Sequence, residues 1–209
     1  MAIKATKAIE QILLDAKIYL VAGVDEAGRG ACAGPLVVAA VILRDAFALE
    51  LDRVRDSKLV DADERESLYD VIIAESLAFS IIVISSQEID SRGVHAANID
   101  GMRRAVRALN PTPTYVLTDG YVVPGLALPS LGVWKGDQVA RCISAASIIA
   151  KVTRDRIMRD IGEEFPDYGF AKHKGYSTTR HLQAIREHGP LDIHRRSFAN
   201  VAALININR

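Results

Sequence analysis

Two adjacent carboxylates, Asp25 and Glu26, close an apolar run and are followed at once by Ala27-Gly28-Arg29-Gly30. Carboxylate oxygens at a strand end suit a hard divalent cation. A glycine-flanked arginine lets main chain and guanidinium approach a phosphate together. Cation and phosphate in one short segment point to phosphodiester chemistry. Two further acids stand where loops would converge: Asp119, after a short apolar run, and Asp137, after Lys135-Gly136. Singly, each has a plain structural reading, Asp119-Gly120 as a hairpin dipeptide and Asp137 as a helix N-cap. Together the four acids match the needs of a two-metal phosphoryl-transfer centre, whose cations sit roughly 3.5–4 Å apart.

The spacing Gly28-x-Gly30-x-x-Ala33 also fits a loose dinucleotide-binding fingerprint, which would make the chain an NAD-dependent oxidoreductase. That fold needs a helix to start inside the motif, because the helix N-terminus binds the pyrophosphate. Here Gly34-Pro35 leads into Leu36-Val37-Val38-Ala39-Ala40-Val41-Ile42-Leu43, whose β-branched content and length predict a strand. The dinucleotide reading is set aside on that ground.

The elements that must hold these residues can be drawn from periodicity and punctuation. Helix is expected over 5–16, 61–75 (with Asp61 as N-cap), 91–109, 138–164 and 178–188, the last capped by Ser177 or Thr178 and stopped by Gly189-Pro190. Strands are expected over 18–25, 35–43, 77–85 and 114–118, with a short last one between Val122 and Val133. Strands first, then alternation, then helices predict a mixed sheet flanked by helices.

Formal net charge is zero, which argues against a strongly basic, non-specific nucleic-acid binder. From Lys172 onward, however, seven basic residues face two acidic ones. Cys32 and Cys142 lack metal-ligand spacing and read as buried thiols. His173, His181, His188 and His194 are not spaced as a metal site and read as surface or capping residues. Arg154-Asp155-Arg156 reads as an internal ion-pair set. No secretory leader is evident, and no apolar run reaches the ~18 residues of a membrane span. A cytoplasmic protein with reduced thiols and no membrane partner is expected.

The ordered motifs resemble one family, bacterial type 2 ribonuclease H (ribonuclease HII). They are Asp25-Glu26-Ala27-Gly28-Arg29-Gly30 with Gly34-Pro35, Asp56-Ser57-Lys58, Thr118-Asp119-Gly120, Lys135-Gly136-Asp137, the run from Ser144 to Asp155, His173-Lys174-Gly175-Tyr176 and His194-Arg195-Arg196-Ser197-Phe198. They cover nearly the whole chain. The resemblance implies a ribonuclease H-like α/β fold with a central mixed five-stranded sheet. It divides the chain into a catalytic part over 1–164 and a helical C-terminal segment over 165–209 beside the active-site groove, in a single structural unit.

The activity implied is endonucleolytic cleavage of the RNA strand of RNA–DNA hybrids, with nicking 5′ to single ribonucleotides embedded in duplex DNA, as ribonucleotide excision repair requires. Products carry 3′-hydroxyl and 5′-phosphate ends, the cofactor is Mn²⁺ or Mg²⁺, and the enzyme is a monomer. By the same resemblance Asp25, Glu26, Asp119 and Asp137 are catalytic carboxylates and metal ligands. Gly28-Arg29-Gly30 reads the ribose 2′-hydroxyl, the group that tells RNA from DNA. Tyr176 packs against the sugar on the 3′ side of the ribonucleotide, while Ser57, Lys58 and Lys174 contact the nucleic-acid backbone. The alternatives are a catalytically silent hybrid-binding module of the same fold and a type 3 ribonuclease H, which usually carries an extra N-terminal domain.

Overall fold

A computed structural model describes residues 8–54 and 61–207. Its centre is a five-stranded mixed sheet in the order β3-β2-β1-β4-β5. The strands are β1 (Val21–Ala27), β2 (Leu36–Leu43), β3 (Ser76–Ile84), β4 (Tyr115–Asp119) and β5 (Ser130–Val133). β1, β2 and β3 pair antiparallel, while β1, β4 and β5 run parallel. All eight residues of β2 are buried, because alternate side chains enter apolar clusters on opposite faces of the sheet. A strand rather than a helix therefore follows the glycine turn, which removes the dinucleotide-binding alternative.

The helices are α1 (Ala8–Asp15), α2 (Ala62–Glu75), α3 (Ser86–Arg92), α4 (Val94–Arg107), α5 (Arg141–Glu164), α6 (Phe170–His173), α7 (Thr179–His188) and α8 (Ala199–Ile207). Asp61 caps α2 as expected, its carboxylate accepting the Glu64 N–H at 2.8 Å. The single helix expected over 91–109 is two. Ser85 caps a separate α3, and Gly93, at φ 80°, ends it and starts α4. The long helix begins at Arg141 rather than 138, so Asp137 is not its N-cap but part of a 3₁₀ turn, Gly136–Gln138. α8 lies within the C-terminal segment expected to be helical, at residues where periodicity alone predicts no separate helix. Among the described residues no helix is long and apolar enough to cross a membrane.

Helix α5 sets the site. It lies across β1 so closely that a β-carbon on Gly23 would collide with the Cys142 main chain. Small residues Ser144, Ala145, Ala146 and Ser147 are all buried in that contact. α4 covers the other face. The C-terminal helices build a third cluster around Phe170, Tyr168 and Ile185, which also takes in Ala33 from the glycine turn and Met158 from α5.

Candidate active site

The parallel register pairs Val24 with Thr118, so the next residues on these neighbouring strands are Asp25 and Asp119. Asp25 is buried and its Oδ1 accepts the Glu26 N–H at 2.7 Å. Burial first, then the charges of Glu26 and Asp119, raise its pKa well above the ordinary carboxylate value, and a hydrogen bond from Ser147 partly opposes them. Asp119 Oδ1 accepts the Gly136 N–H at 2.6 Å, and Asp137, one residue on, is buried.

Two adjoining clefts open over these acids. One, of about 280 Å³, is lined by Asp25, Glu26, Asp119, the 27–30 turn, Ser147, Lys151 and Tyr176. The other, of about 370 Å³, is lined by Glu26, Arg29, Asp119, Tyr121, Trp134 and Asp137, among others. Glu26 and Asp119 belong to both, Asp25 to the first alone and Asp137 to the second alone.

Among the described residues no three His, Cys, Asp or Glu side chains converge tightly enough to cage a metal by themselves. The donors are all hard carboxylate oxygens, and the charge crowding Asp25 is what a cation relieves. Mg²⁺ favours one or two carboxylates, water and substrate phosphate over an all-protein cage. An open carboxylate set of this kind fits such an ion.

The glycine turn is held from beneath by two buried arginines. Arg154 Nε donates to the Pro35 carbonyl at 2.9 Å and Nη2 to that of Ala33 at 3.2 Å. Arg195 donates from Nε and Nη2 to the Gly34 carbonyl at 3.2 and 3.0 Å, and from Nη1 to that of Arg29 at 2.9 Å. Among the described residues neither pairs with a carboxylate. Burial, with Arg154 nearby, lowers Arg195 to about 10, so it stays charged at neutral pH. Two unneutralised cations under the turn bias it towards anions. Arg29 itself donates to the Tyr121 hydroxyl and sits with its Cζ 4.8 Å from that ring's centroid.

The 173–176 segment is tied to the same turn. The Gly175 carbonyl accepts the Cys32 and Ala33 N–H groups at 2.9 and 3.2 Å. The Tyr176 carbonyl meets His181 Nδ1 at 2.9 Å, and His181 Nε2 lies 3.1 Å from His194 Nε2. The Leu191 N–H donates to His194 Nδ1 at 2.8 Å. The arrangement that satisfies these contacts has His194 Nε2 donating to His181 and His181 Nδ1 donating to the Tyr176 carbonyl, with the Leu191 carbonyl also 3.2 Å from His194 Nδ1. Both imidazoles are buried, so the expectation of surface histidines fails for His181 and His194. Desolvation pushes both pKa values to about 4.

Of the residues singled out in the sequence, the first cleft gathers Asp25, Glu26, Gly28, Arg29, Gly30, Asp119 and Tyr176. Lys174 is elsewhere, in a neighbouring cleft with Glu66, Asp155 and Arg159, where burial lowers its pKa. Ser57 and Lys58 lie outside the described residues. The ion-pair set expected at 154–156 does not form. Asp155 pairs with Lys151 at 2.5 Å, Arg156 with Glu66 at 2.6 Å, and Arg154 binds carbonyls. The cysteines are free and buried, as expected. Sequence reasoning gave no site role to Ser147 and Lys151, which line the cleft, and read Arg154, which lies beneath it, as part of an ion-pair set. Their i, i+4, i+7 spacing on α5 was the available signal, since it places all three on one helix face.

The family model described as Ribonuclease HII matches residues 22–201. A ribonuclease HII of Saccharopolyspora erythraea is 56% identical over 188 residues, covering 90% of this chain and 82% of that protein. One of Corynebacterium jeikeium is 55% identical over 196 residues, covering 93% of this chain and 94% of its own length. The crystal structure of a ribonuclease H2 from Pyrococcus horikoshii OT3 superposes with a TM-score of 0.78 at 27% identity, over 90% of this chain and 97% of that one.

Proposed function

The chain belongs to the ribonuclease HII family, and from that premise we propose that the joined clefts above β1 and β4 cut on the 5′ side of a ribonucleotide. It is a ribonuclease H, an endonuclease acting on RNA–DNA hybrids. The proposed range includes a single ribonucleotide embedded in duplex DNA, as in ribonucleotide excision repair, with 3′-hydroxyl and 5′-phosphate products. The observation that carries this reading is the meeting of Asp25, Glu26 and Asp119 with the Gly28-Arg29-Gly30 turn in one cleft.

Asp25, Glu26, Asp119 and Asp137 would hold Mg²⁺ or Mn²⁺, with Glu26 and Asp119 common to both sides. Such ions, when bound, supply an activated water and neutralise the leaving oxygen. Ser147 orients Asp25, and the Gly136 N–H fixes one oxygen of Asp119. Arg29 and Lys151 face the phosphate from the cleft walls. The main chain of 28–30 reads the 2′-hydroxyl, and Gly30, exposed with open space around it, lets the sugar approach. Tyr176 packs against the sugar on the 3′ side. Ser57, Lys58 and Lys174 meet phosphates further along the duplex. The segment 165–209 grips that duplex beside the catalytic part, 1–164, and the enzyme works as a cytoplasmic monomer.

A duplex with one ribonucleotide, labelled on either end, tests this beside an all-DNA duplex and a full hybrid, each with Mg²⁺ and with Mn²⁺. The expected product is one nick 5′ to the ribonucleotide, with no cut in all-DNA. Nicking on the 3′ side, or undiminished nicking in EDTA, would overturn the reading.

A further inference from the structure

The second cleft holds an aromatic group with no structural task. Trp134 is 81% exposed, and among the described residues no hydrogen bond, ring or cation engages its indole. A tryptophan left in water forgoes the stabilisation that its large apolar surface would give if buried. Its place is nevertheless fixed. β5 pairs Val133 with Asp119, and the Gly120 N–H donates to the Val133 carbonyl at 2.8 Å. After Trp134 the chain turns at Lys135, in the left-handed region at φ 53°, and this delivers the Gly136 N–H to Asp119. The main chain that orients a catalytic carboxylate thus also presents the indole.

Tyr176 lines one cleft and Trp134 the other, and Glu26, Arg29 and Asp119 are common to both. Resting on the function proposed above, with Tyr176 on the 3′ side, we infer that Trp134 seats the sugar of the nucleotide on the 5′ side of the scissile bond. Inside a duplex the base faces are stacked on one another, so the apolar C–H face of the deoxyribose is what an indole at the cleft wall meets. Arg29 and Lys135, which flank the same cleft, are placed for that nucleotide's phosphate. An aromatic side chain with two rotatable bonds on a fixed main chain loses little conformational freedom on contact.

Trp134 is the single tryptophan of the chain and so reports on itself. In the Asp25→Asn background, which keeps the duplex intact, the single-ribonucleotide duplex is titrated in Mg²⁺. Binding is followed by anisotropy of a labelled duplex, and the indole by its emission. The emission is expected to move to shorter wavelength in step with binding. In the otherwise native enzyme, Trp134→Ala should raise KM about tenfold with a smaller effect on kcat, and Trp134→Phe should restore most of the loss. Saturating binding with unmoved emission, or Trp134→Ala with native KM, overturns the inference while leaving the function intact. A native enzyme that neither binds nor cuts this duplex overturns the function, and the inference with it.

Discussion

The guanidinium of Arg154 fills the space that a β-carbon on Gly28 would need. Gly28 also has φ +87°, so its glycine is required by the fold itself. Gly30, two residues on, is exposed with nothing near a built β-carbon. Gly28→Ala should therefore lower stability by about 2–4 kcal/mol, through overpacking and a left-handed backbone. Gly30→Ala should unfold within about 1 kcal/mol of the native chain yet cleave about tenfold more slowly or worse, because the sugar must approach there. Urea unfolding and cleavage rates on the two variants check this; a Gly30→Ala enzyme with native rate removes residue 30 from the ribose-reading surface.

Arg195 offers a second test of the turn. Its three donors reach two carbonyls, Arg29 and Gly34, which a lysine ammonium cannot span together. Arg195→Lys should cost about 3 kcal/mol and slow cleavage, since a buried charge then lacks its partners. Denaturant midpoints and single-turnover rates measure the two effects.

The paired imidazoles predict a pH response. Burial holds His181 and His194 at about 4, below the ordinary 6.5, so between those values the unfolded chain binds more protons than the folded one. Stability from the pair is present in full above about pH 6.5 and is lost as pH falls towards 4. The loss is on the order of a few kcal/mol. Unfolding midpoints at pH 7 and 5 should differ, and His194→Phe should flatten the difference. An equal slope in that variant contradicts the assignment.

The sheet was legible because β2 is continuously apolar and β1 turns from apolar to charged near its C-terminal end, patterns that one strand displays by itself. The acids Asp25, Glu26 and Asp119 were legible for the same reason: each stands within the last three residues of its strand. The break at Gly93 was hidden because α3 is short and α4 carries most of the helical periodicity. The burial of His181 and His194 depends on a partner thirteen residues away, and that of Arg154 and Arg195 on carbonyls more than a hundred residues away. No local pattern announces a cation paired with main-chain oxygen. Ser147 and Lys151 were readable in principle, but the run containing them looks like ordinary helix packing until β1 is placed beneath it.

The central claim is that the carboxylates at the ends of β1 and β4 do the cutting. Asp25 is buried beside two other negative charges, so its charge costs stability when no cation is bound. Asp25→Asn keeps an oxygen for the Glu26 N–H and removes that repulsion. The direct measurement is the melting temperature of Asp25→Asn without metal, together with its rate on a single-ribonucleotide duplex in Mg²⁺. The account predicts a melting temperature equal to or above that of the native protein and a rate reduced at least a thousandfold. A variant that folds and nicks at the native rate would contradict it.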